Sequence, residues 1–173
     1  MDCGCCAADV DMEEINKPRA RIFGELLGAP ASHCAVKTVD LDFLDEEKTL
    51  ATELVKEGLG WDAASPSLFI AEGLVMYLGP GKLKLLKDVS AVAAPDSVFV
   101  LQFMEATAEA IAQYGETAMA NALSAEEATR VLTEHGWESF EISRYGEEKL
   151  SFGRYPERFE PTVAFSFCTC KKG

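Results

Sequence analysis

The stretch PSLFIAEGLVMYL, residues 66–78, determines the expected fold class. Residues 67–71 form a nearly continuous apolar run, which is typical of a strand buried on both faces of a parallel sheet. Gly73 allows the backbone to turn sharply directly after that strand, so Glu72 is expected at the edge of the sheet. A partly buried carboxylate at such a place needs a hydrogen-bond partner or a cation. The alternative is that Glu72 caps the helix that follows.

The regions on either side alternate short β-type runs with helical runs, which is the pattern of an α/β domain with a mainly parallel sheet. Strands are expected at residues 7–10, 34–39, 67–71 and 98–103, and helices at 12–27, 46–57, 82–94 and 105–123. A further helix is expected to open at the capping box of residues 124–127 and to end at His135-Gly136. Pro18 lies inside the first helical run, so that helix is expected to start or kink there.

The C-terminal part no longer alternates strands with helices. Residues 139–143 and 163–170 have the alternation of two further strands, and no crossover helix fits between them. These two strands are therefore expected to pair antiparallel. We find no repeat and no linker, so residues 1–173 are interpreted as one partial domain.

Composition and charge limit the kinds of molecule that the chain is expected to bind and the place where it is expected to work. The chain has 173 residues and a formal net charge of −13, which argues against a nucleic-acid partner, since that would need a basic surface. No run reaches the roughly 18 apolar residues of a membrane span, and the N-terminus lacks the basic region of a signal peptide. The expected location is the cytoplasm. The six cysteines are interpreted as free thiols, with Cys168 and Cys170 serving as small apolar side chains on one face of a strand.

Acidic side chains follow three of the expected strands. Asp9 and Asp11 lie at the end of the first, Asp40 follows the second and Glu72 follows the third. In open parallel sheets, ligands bind outside the carboxyl ends of the strands, where a carboxylate can accept the hydroxyls of a ribose or the amino group of an adenine. For each of these carboxylates, the alternative role is that of a helix cap. A second alternative is that the site binds a different adenosine ligand, such as ATP or NAD.

Residues 66–78 resemble the signature of the leucine carboxyl methyltransferase family, with the core Glu-Gly-Leu-x-x-Tyr-Leu. Residues 8–12, followed by Asn16-Lys17, are similar to the family's second-strand motif. Residues 39–41 resemble its acidic adenine-contact motif, and His135-Gly136-Trp137 resembles the motif before its sixth strand. The family includes the enzyme that methylates the C-terminal leucine of protein phosphatase 2A and many bacterial O-methyltransferases.

The resemblance implies a Rossmann-like α/β fold, with a mostly parallel sheet and an antiparallel C-terminal strand. The family's fold begins with a strand and a glycine-rich loop that approaches the cofactor. The segment at residues 3–6 has one glycine and no preceding apolar strand, so it is not that loop. The chain is therefore expected to correspond to the fold without its first strand and glycine-rich loop.

The resemblance also implies S-adenosyl-L-methionine as cofactor and assigns residues to it. Asp11 would hold the ribose hydroxyls, with Asp9 as the less favoured choice. Asp40 and Leu41 would face the adenine, and Glu72 would lie near the methionine moiety or the substrate. No catalytic residue and no metal ligand is implied.

Arg154 and Tyr155 are candidates for the acceptor pocket, with an exposed turn as the alternative, and Tyr77 is expected to pack against the helix below it. The implied activity is O-methylation, either of the C-terminal leucine of a protein phosphatase 2A-type catalytic subunit or of a small molecule. The alternative is a non-catalytic remnant or interaction module that keeps the fold.

Overall fold

The computed structural model describes residues 6–27, 35–56, 60–153 and 165–173. The chain forms two compact units, Met1–Asp62 and Ala63–Gly173. The described strands pair as two separate ladders, one of two strands and one of four. The interpretation as one domain stays a prediction, since a domain can comprise more than one such unit.

The first unit is built on two parallel strands. Its elements are β1 (Cys6–Asp11), α1 (Glu13–Ile22), a π-helical turn (Phe23–Leu27), β2 (Ala35–Asp40) and α2 (Leu50–Lys56). The two strands pair in register from Cys6 opposite Ala35 to Asp11 opposite Asp40. The predicted strand–helix–strand order of this region is confirmed.

Helix α1 passes through Pro18 instead of starting there. The helix begins at Glu13, with two acidic residues in its first turn that suit the positive end of the helix dipole. Pro18 lacks the N–H that would bond to the carbonyl of Glu14. Pro18 lies on the exposed side of the helix, where water can hydrate that carbonyl, so the interruption is tolerated.

The second unit contains a four-stranded mixed sheet. Its regular elements are β3 (Leu68–Ala71), α3 (Lys82–Val92), β4 (Val98–Met104), α4 (Ala108–Tyr114), α5 (Glu116–Met119), α6 (Ala125–Glu134), β5 (Trp137–Arg144) and β6 (Phe165–Lys172). Short 3-10 turns lie at Val75–Tyr77, Gly79–Gly81 and Glu148–Leu150. Ser124 caps α6 by accepting a hydrogen bond from the N–H of Glu127 at 3.0 Å, as the capping-box pattern at residues 124–127 predicts.

The order of this sheet is β3-β4-β6-β5. Strands β3 and β4 are parallel, whereas β6 runs antiparallel to both β4 and β5. Only the C-terminal strand therefore runs against the other three. The predicted antiparallel pairing of the last two strands is confirmed.

The core of the second unit lies on one face of β4. Phe99, Leu101 and Phe103 are fully buried, as the alternation of a strand with one covered face requires. Cys168 and Cys170 on β6 lie opposite Leu101 and Phe99 in the ladder. Both are buried free thiols, so their predicted role as small apolar side chains is confirmed.

Two predicted helices have different bounds. The run at 105–123 is not one long helix, because Gly115 with φ of 83° separates α4 from α5. Helix α2 begins at Leu50 rather than at residue 46. Asp42 and Asp45 instead accept the N–H groups of the residues two positions on, and such turns compete with a helix start.

The prediction that β3 is buried on both faces is wrong for the described part of the chain. Leu68 and Ile70 are 62% and 64% exposed, whereas Ala71 is 5% exposed. Leu68 and Ile70 are two residues apart and so lie on one face of β3, and that face is uncovered among the described residues.

None of the helices in residues 6–27, 35–56, 60–153 and 165–173 combines the length and apolar character needed to cross a lipid bilayer.

Candidate functional site

Two of the predicted ligand-binding carboxylates lie side by side at the carboxyl ends of β1 and β2. Asp11 and Asp40 are the last paired residues of this parallel ladder. The N–H of Leu41 donates to the carbonyl of Asp11 at 2.9 Å and continues the hydrogen bonding beyond the strands. Because parallel strands end at the same edge, both side chains emerge at one place.

Neighbouring donors orient the Asp11 carboxylate. Its Oδ1 accepts a hydrogen bond from the N–H of Met12 at 2.8 Å, and its Oδ2 accepts one from Nη2 of Arg19 at 2.7 Å. The Asp11 side chain remains 28% exposed. An ionised carboxylate has about four acceptor positions, so each oxygen can still accept one hydrogen bond from a ligand.

Arg19 holds the two acidic residues of β1 together. Its Nη1 lies 2.5 Å from Oδ2 of Asp9, while its Nη2 bonds to Asp11. The hydrogen bond that Arg19 donates to Asp9 is the main cause that raises the pKa of the Arg19 guanidinium. Asp9 and Asp11 thus share one cation, and the place of Asp9 as the less favoured ribose ligand stays a prediction.

The Asp40 carboxylate is exposed and accepts a hydrogen bond from one side chain of the described residues. Its Oδ1 accepts a hydrogen bond from Nδ2 of Asn16 at 2.8 Å. Its second oxygen accepts no hydrogen bond from the described residues. Leu41 is 1% exposed and belongs to the core, and its expected place beside the adenine stays a prediction.

Glu72 lies directly after β3 in the second unit, and its side chain is exposed. The capping alternative fails, because the following 3-10 turn has Leu74 as its N-cap and no side-chain cap. Gly73 has φ of 65°, the left-handed conformation that glycine adopts at little cost. Its N–H donates to Oε1 of Gln102 at 2.7 Å, which ties the turn to β4.

The structure thus brings together Asp9, Asp11 and Asp40. Glu72 belongs to the other unit, so its convergence with them on one adenosyl-sized cleft stays a prediction. Arg154 and Tyr155, the candidates for the acceptor pocket, lie outside the described residues.

The prediction that Tyr77 packs against the helix below it is wrong, because Tyr77 is 76% exposed. It lies in the 3-10 turn that follows Glu72 and Gly73. The short turn, rather than a full helix, leaves the ring without a packing surface among the described residues.

A groove of about 320 Å³ lies along α1, lined by Glu14, Ile15, Pro18, Arg19, Ile22 and Phe23. Arg19 is shared between this groove and the carboxylate cluster, whereas Asp11 and Asp40 do not line it. A metal centre has no support among the described residues, where no group of three or more His, Cys, Asp or Glu side chains could hold an ion.

Three hydrogen bonds of the site were not predicted from the sequence. Asn16 donates to Asp40, Arg19 donates to Asp11, and the N–H of Gly73 donates to Gln102. A usable signal for the first two is that Asn16 and Arg19 are three residues apart, which places both on one side of α1. No sequence signal identifies Gln102, because its contact depends on the register of β3 against β4.

Comparison with solved structures shows the fold. A crystal structure of a candidate methyltransferase from Thermobifida fusca YX superposes with a TM-score of 0.62 at 16% identity, covering 97% of this chain and 63% of that one. Human N-acetylserotonin methyltransferase, crystallised with S-adenosylmethionine, gives 0.52 at 11% identity over 98% of this chain and 41% of its own. The chain therefore has the Rossmann-like α/β fold of these methyltransferases.

Two mycobacterial relatives are named as candidate S-adenosyl-L-methionine-dependent methyltransferases. The protein from Mycobacterium tuberculosis is 32% identical over 100 residues, which is 57% of this chain and 27% of the relative. The protein from Mycobacterium sp. strain KMS is 28% identical over 101 residues, 58% of this chain and 32% of the relative. The chain thus spans about a third of the length of the curated relatives it matches.

The sequence pattern of the leucine carboxyl methyltransferase family matches residues 4–90. That region carries β1, β2 and β3, and with them Asp9, Asp11, Asp40 and Glu72. The match covers half of the chain, and the chain therefore belongs to the leucine carboxyl methyltransferase family.

Proposed function

We propose that this chain belongs to an S-adenosyl-L-methionine-dependent O-methyltransferase. Family membership and the names of the mycobacterial relatives support this activity. The observation that carries the proposal is the pairing of Asp11 with Asp40 at the carboxyl ends of two parallel strands. That edge of an open α/β sheet is where such folds bind their ligands.

The adenosine part of the cofactor fits the donor and acceptor chemistry of the Asp11–Asp40 pair. The two oxygens of Asp11 would accept hydrogen bonds from the two ribose hydroxyls, for which each oxygen keeps acceptor capacity. The second oxygen of Asp40 would accept from the adenine amino group. Leu41 would support this end through its backbone N–H, which fixes the carbonyl of Asp11.

The cationic part of the cofactor suits Glu72. This carboxylate is exposed and accepts no hydrogen bond from the described part of the chain. It would be attracted to the ammonium of the methionine moiety or to a cationic substrate group. Gln102 would hold the turn that carries it through the N–H of Gly73.

A carboxylate is the methyl acceptor that needs the fewest catalytic groups from the protein. When bound, S-adenosyl-L-methionine supplies a methyl group on a positively charged sulfur. A C-terminal carboxyl group has a pKa of about 3.5 and is ionised near neutral pH, so the chain need not remove a proton from it. The residues of the site would act by aligning the reactants and by excluding water.

The acceptor is proposed to be the C-terminal leucine of a protein phosphatase 2A-type catalytic subunit or a small molecule. Family membership supports the first choice. Arg154 and Tyr155 remain the proposed acceptor-side residues.

Calorimetric titration with S-adenosylhomocysteine tests the proposal. We expect one binding site per chain, and we expect Asp11→Asn, Asp40→Asn and Glu72→Gln each to raise the Kd by about tenfold. Glu46→Gln is the matched control, since it removes an exposed negative charge of the first unit that is not a proposed ligand, and it should leave the Kd unchanged.

The other outcomes distinguish the alternatives. Absence of binding at millimolar ligand would contradict the proposal and favour a non-catalytic module that keeps the fold. Binding of ATP or NAD, but not of the sulfur-containing ligands, would favour a different nucleotide-binding protein.

A further inference from the structure

Asn16 is a polar side chain buried against the first sheet. It is 3% exposed, although it lies in a helix whose apolar residues Ile15 and Ile22 are 43% and 46% exposed. Burying an amide costs free energy unless its polar atoms are hydrogen-bonded. The partners of Asn16 therefore account for its position.

The amide nitrogen of Asn16 faces three acceptors at the strand ends. Its Nδ2 lies 3.0 Å from the carbonyl oxygen of Asp11, 3.1 Å from that of Val39 and 2.8 Å from Oδ1 of Asp40. Its Oδ1 accepts a weaker hydrogen bond from Nη1 of Arg19 at 3.4 Å. One residue thus joins both strands to the Asp40 carboxylate.

The chemistry of the partners fixes the orientation of this amide. An NH₂ group has two N–H donors, so three acceptors require one donor to be shared. The opposite orientation would place the amide oxygen against three other oxygens and its NH₂ group against a guanidinium. The contacts therefore favour a single orientation, which directs a donor at Asp40.

We propose that Asn16 is a positioning residue of the nucleoside site, acting through Asp40 without touching the ligand. The inference rests on the proposed function, since Asp40 would bind the adenine. By donating to Oδ1, Asn16 holds one oxygen of the carboxylate and leaves the other directed outward. A ligand then meets an acceptor that is already oriented, so less conformational freedom is lost on binding.

A purely structural role for Asn16 predicts a different result. If the amide only joined β1 to β2, its loss would lower stability, and any effect on binding would not depend on Asp40. A double-mutant cycle between Asn16 and Asp40 separates the two roles, because residues that act through one another give non-additive changes.

The experiment measures the Kd of S-adenosylhomocysteine for the full chain, its Asn16→Ala and Asp40→Ala variants and the double variant. Thermal unfolding is followed in parallel. We expect Asn16→Ala to raise the Kd by about tenfold in the native background. In the Asp40→Ala background the same change should alter the Kd by less than about twofold. Asn121→Ala, which removes an exposed amide of the second unit, is the control and should have no effect.

Equal changes of Kd in both backgrounds would overturn the inference, as would a lower Tm with an unchanged Kd. If Asn16→Ala does not fold, Asn16→Leu keeps a side chain of similar size and removes the donor, and the cycle is measured with it. NMR of the native chain gives an independent result: the Asn16 side-chain amide resonance should shift on ligand addition, and an unmoved resonance would contradict the inference.

Failure of the inference differs from failure of the proposed function. If the native chain binds S-adenosylhomocysteine and the cycle shows no coupling, only the role of Asn16 is refuted. If the native chain does not bind the ligand at all, both are refuted.

Discussion

Nη2 of Arg19 lies 2.7 Å from Oδ2 of Asp11, the proposed ligand of the ribose hydroxyls. The same guanidinium bonds to Asp9, so one cation stands between two carboxylates that would otherwise repel each other. The Arg19 side chain is 32% exposed, and partly exposed ion pairs of this kind contribute only about 0–1 kcal/mol to stability. We therefore infer that its larger effect is on the orientation of Asp11.

Arg19→Met should raise the Kd for S-adenosylhomocysteine by about threefold to tenfold, because Asp11 loses its second donor and gains repulsion from Asp9. Calorimetry measures the change. Arg21→Met is the matched control, since Arg21 is an exposed arginine of the same helix and should leave the Kd unchanged. Equal effects of the two substitutions would show that only net charge matters.

Gly73 should be sensitive to substitution for a conformational reason alone. Its φ is 65°, and an added Cβ would meet no atom within 4 Å, so sterics with neighbours play no part. Gly73→Ala should lower the free energy of unfolding by about 1–2 kcal/mol, and Gly73→Asn by less, since Asn tolerates this conformation better. Urea denaturation followed by circular dichroism measures both.

The control for Gly73 is Gly24→Ala. Gly24 lies in the π-helical turn after α1 and also has open space around an added Cβ, without the left-handed conformation. Ala is a better helix former than Gly, so stability should stay the same or rise. A loss at Gly24 as large as that at Gly73 would contradict the explanation.

The buried hydrogen bond from Nε1 of Trp137 to Oγ of Ser90, at 2.7 Å, should contribute to the stability of the second unit. Ser90→Ala leaves the indole N–H without this acceptor, at an expected cost of about 1–3 kcal/mol. Trp137→Phe removes the donor, and in that background Ser90→Ala should cost clearly less. Urea denaturation of the four proteins tests this, and additive losses would refute the coupling.

The strand–helix order could be predicted from sequence because strand runs and turn residues are local signals. The antiparallel ending followed from residues 139–143 and 163–170 alone, since no helix fits between them. The break of the helical run at Gly115 was missed because composition there favours a helix, whereas the backbone conformation of one glycine ends it.

The placement of Asp11 and Asp40 followed from the rule that parallel strands end at one edge. The hydrogen bonds that support these two carboxylates could not be predicted in this way, because hydrophobic periodicity marks Ile15 and Ile22 as the inward positions of α1. The residue buried there is Asn16, whose polar contacts at the strand ends outweigh the apolar pattern.

The most direct test of the account is an NMR titration of the ¹⁵N-labelled chain with S-adenosylhomocysteine. The largest backbone amide shifts are expected at Asp11, Met12 and Leu41, the residues that surround the Asp11–Asp40 pair. Shifts confined to residues distant from the ends of β1 and β2, or no shift at millimolar ligand, would contradict it.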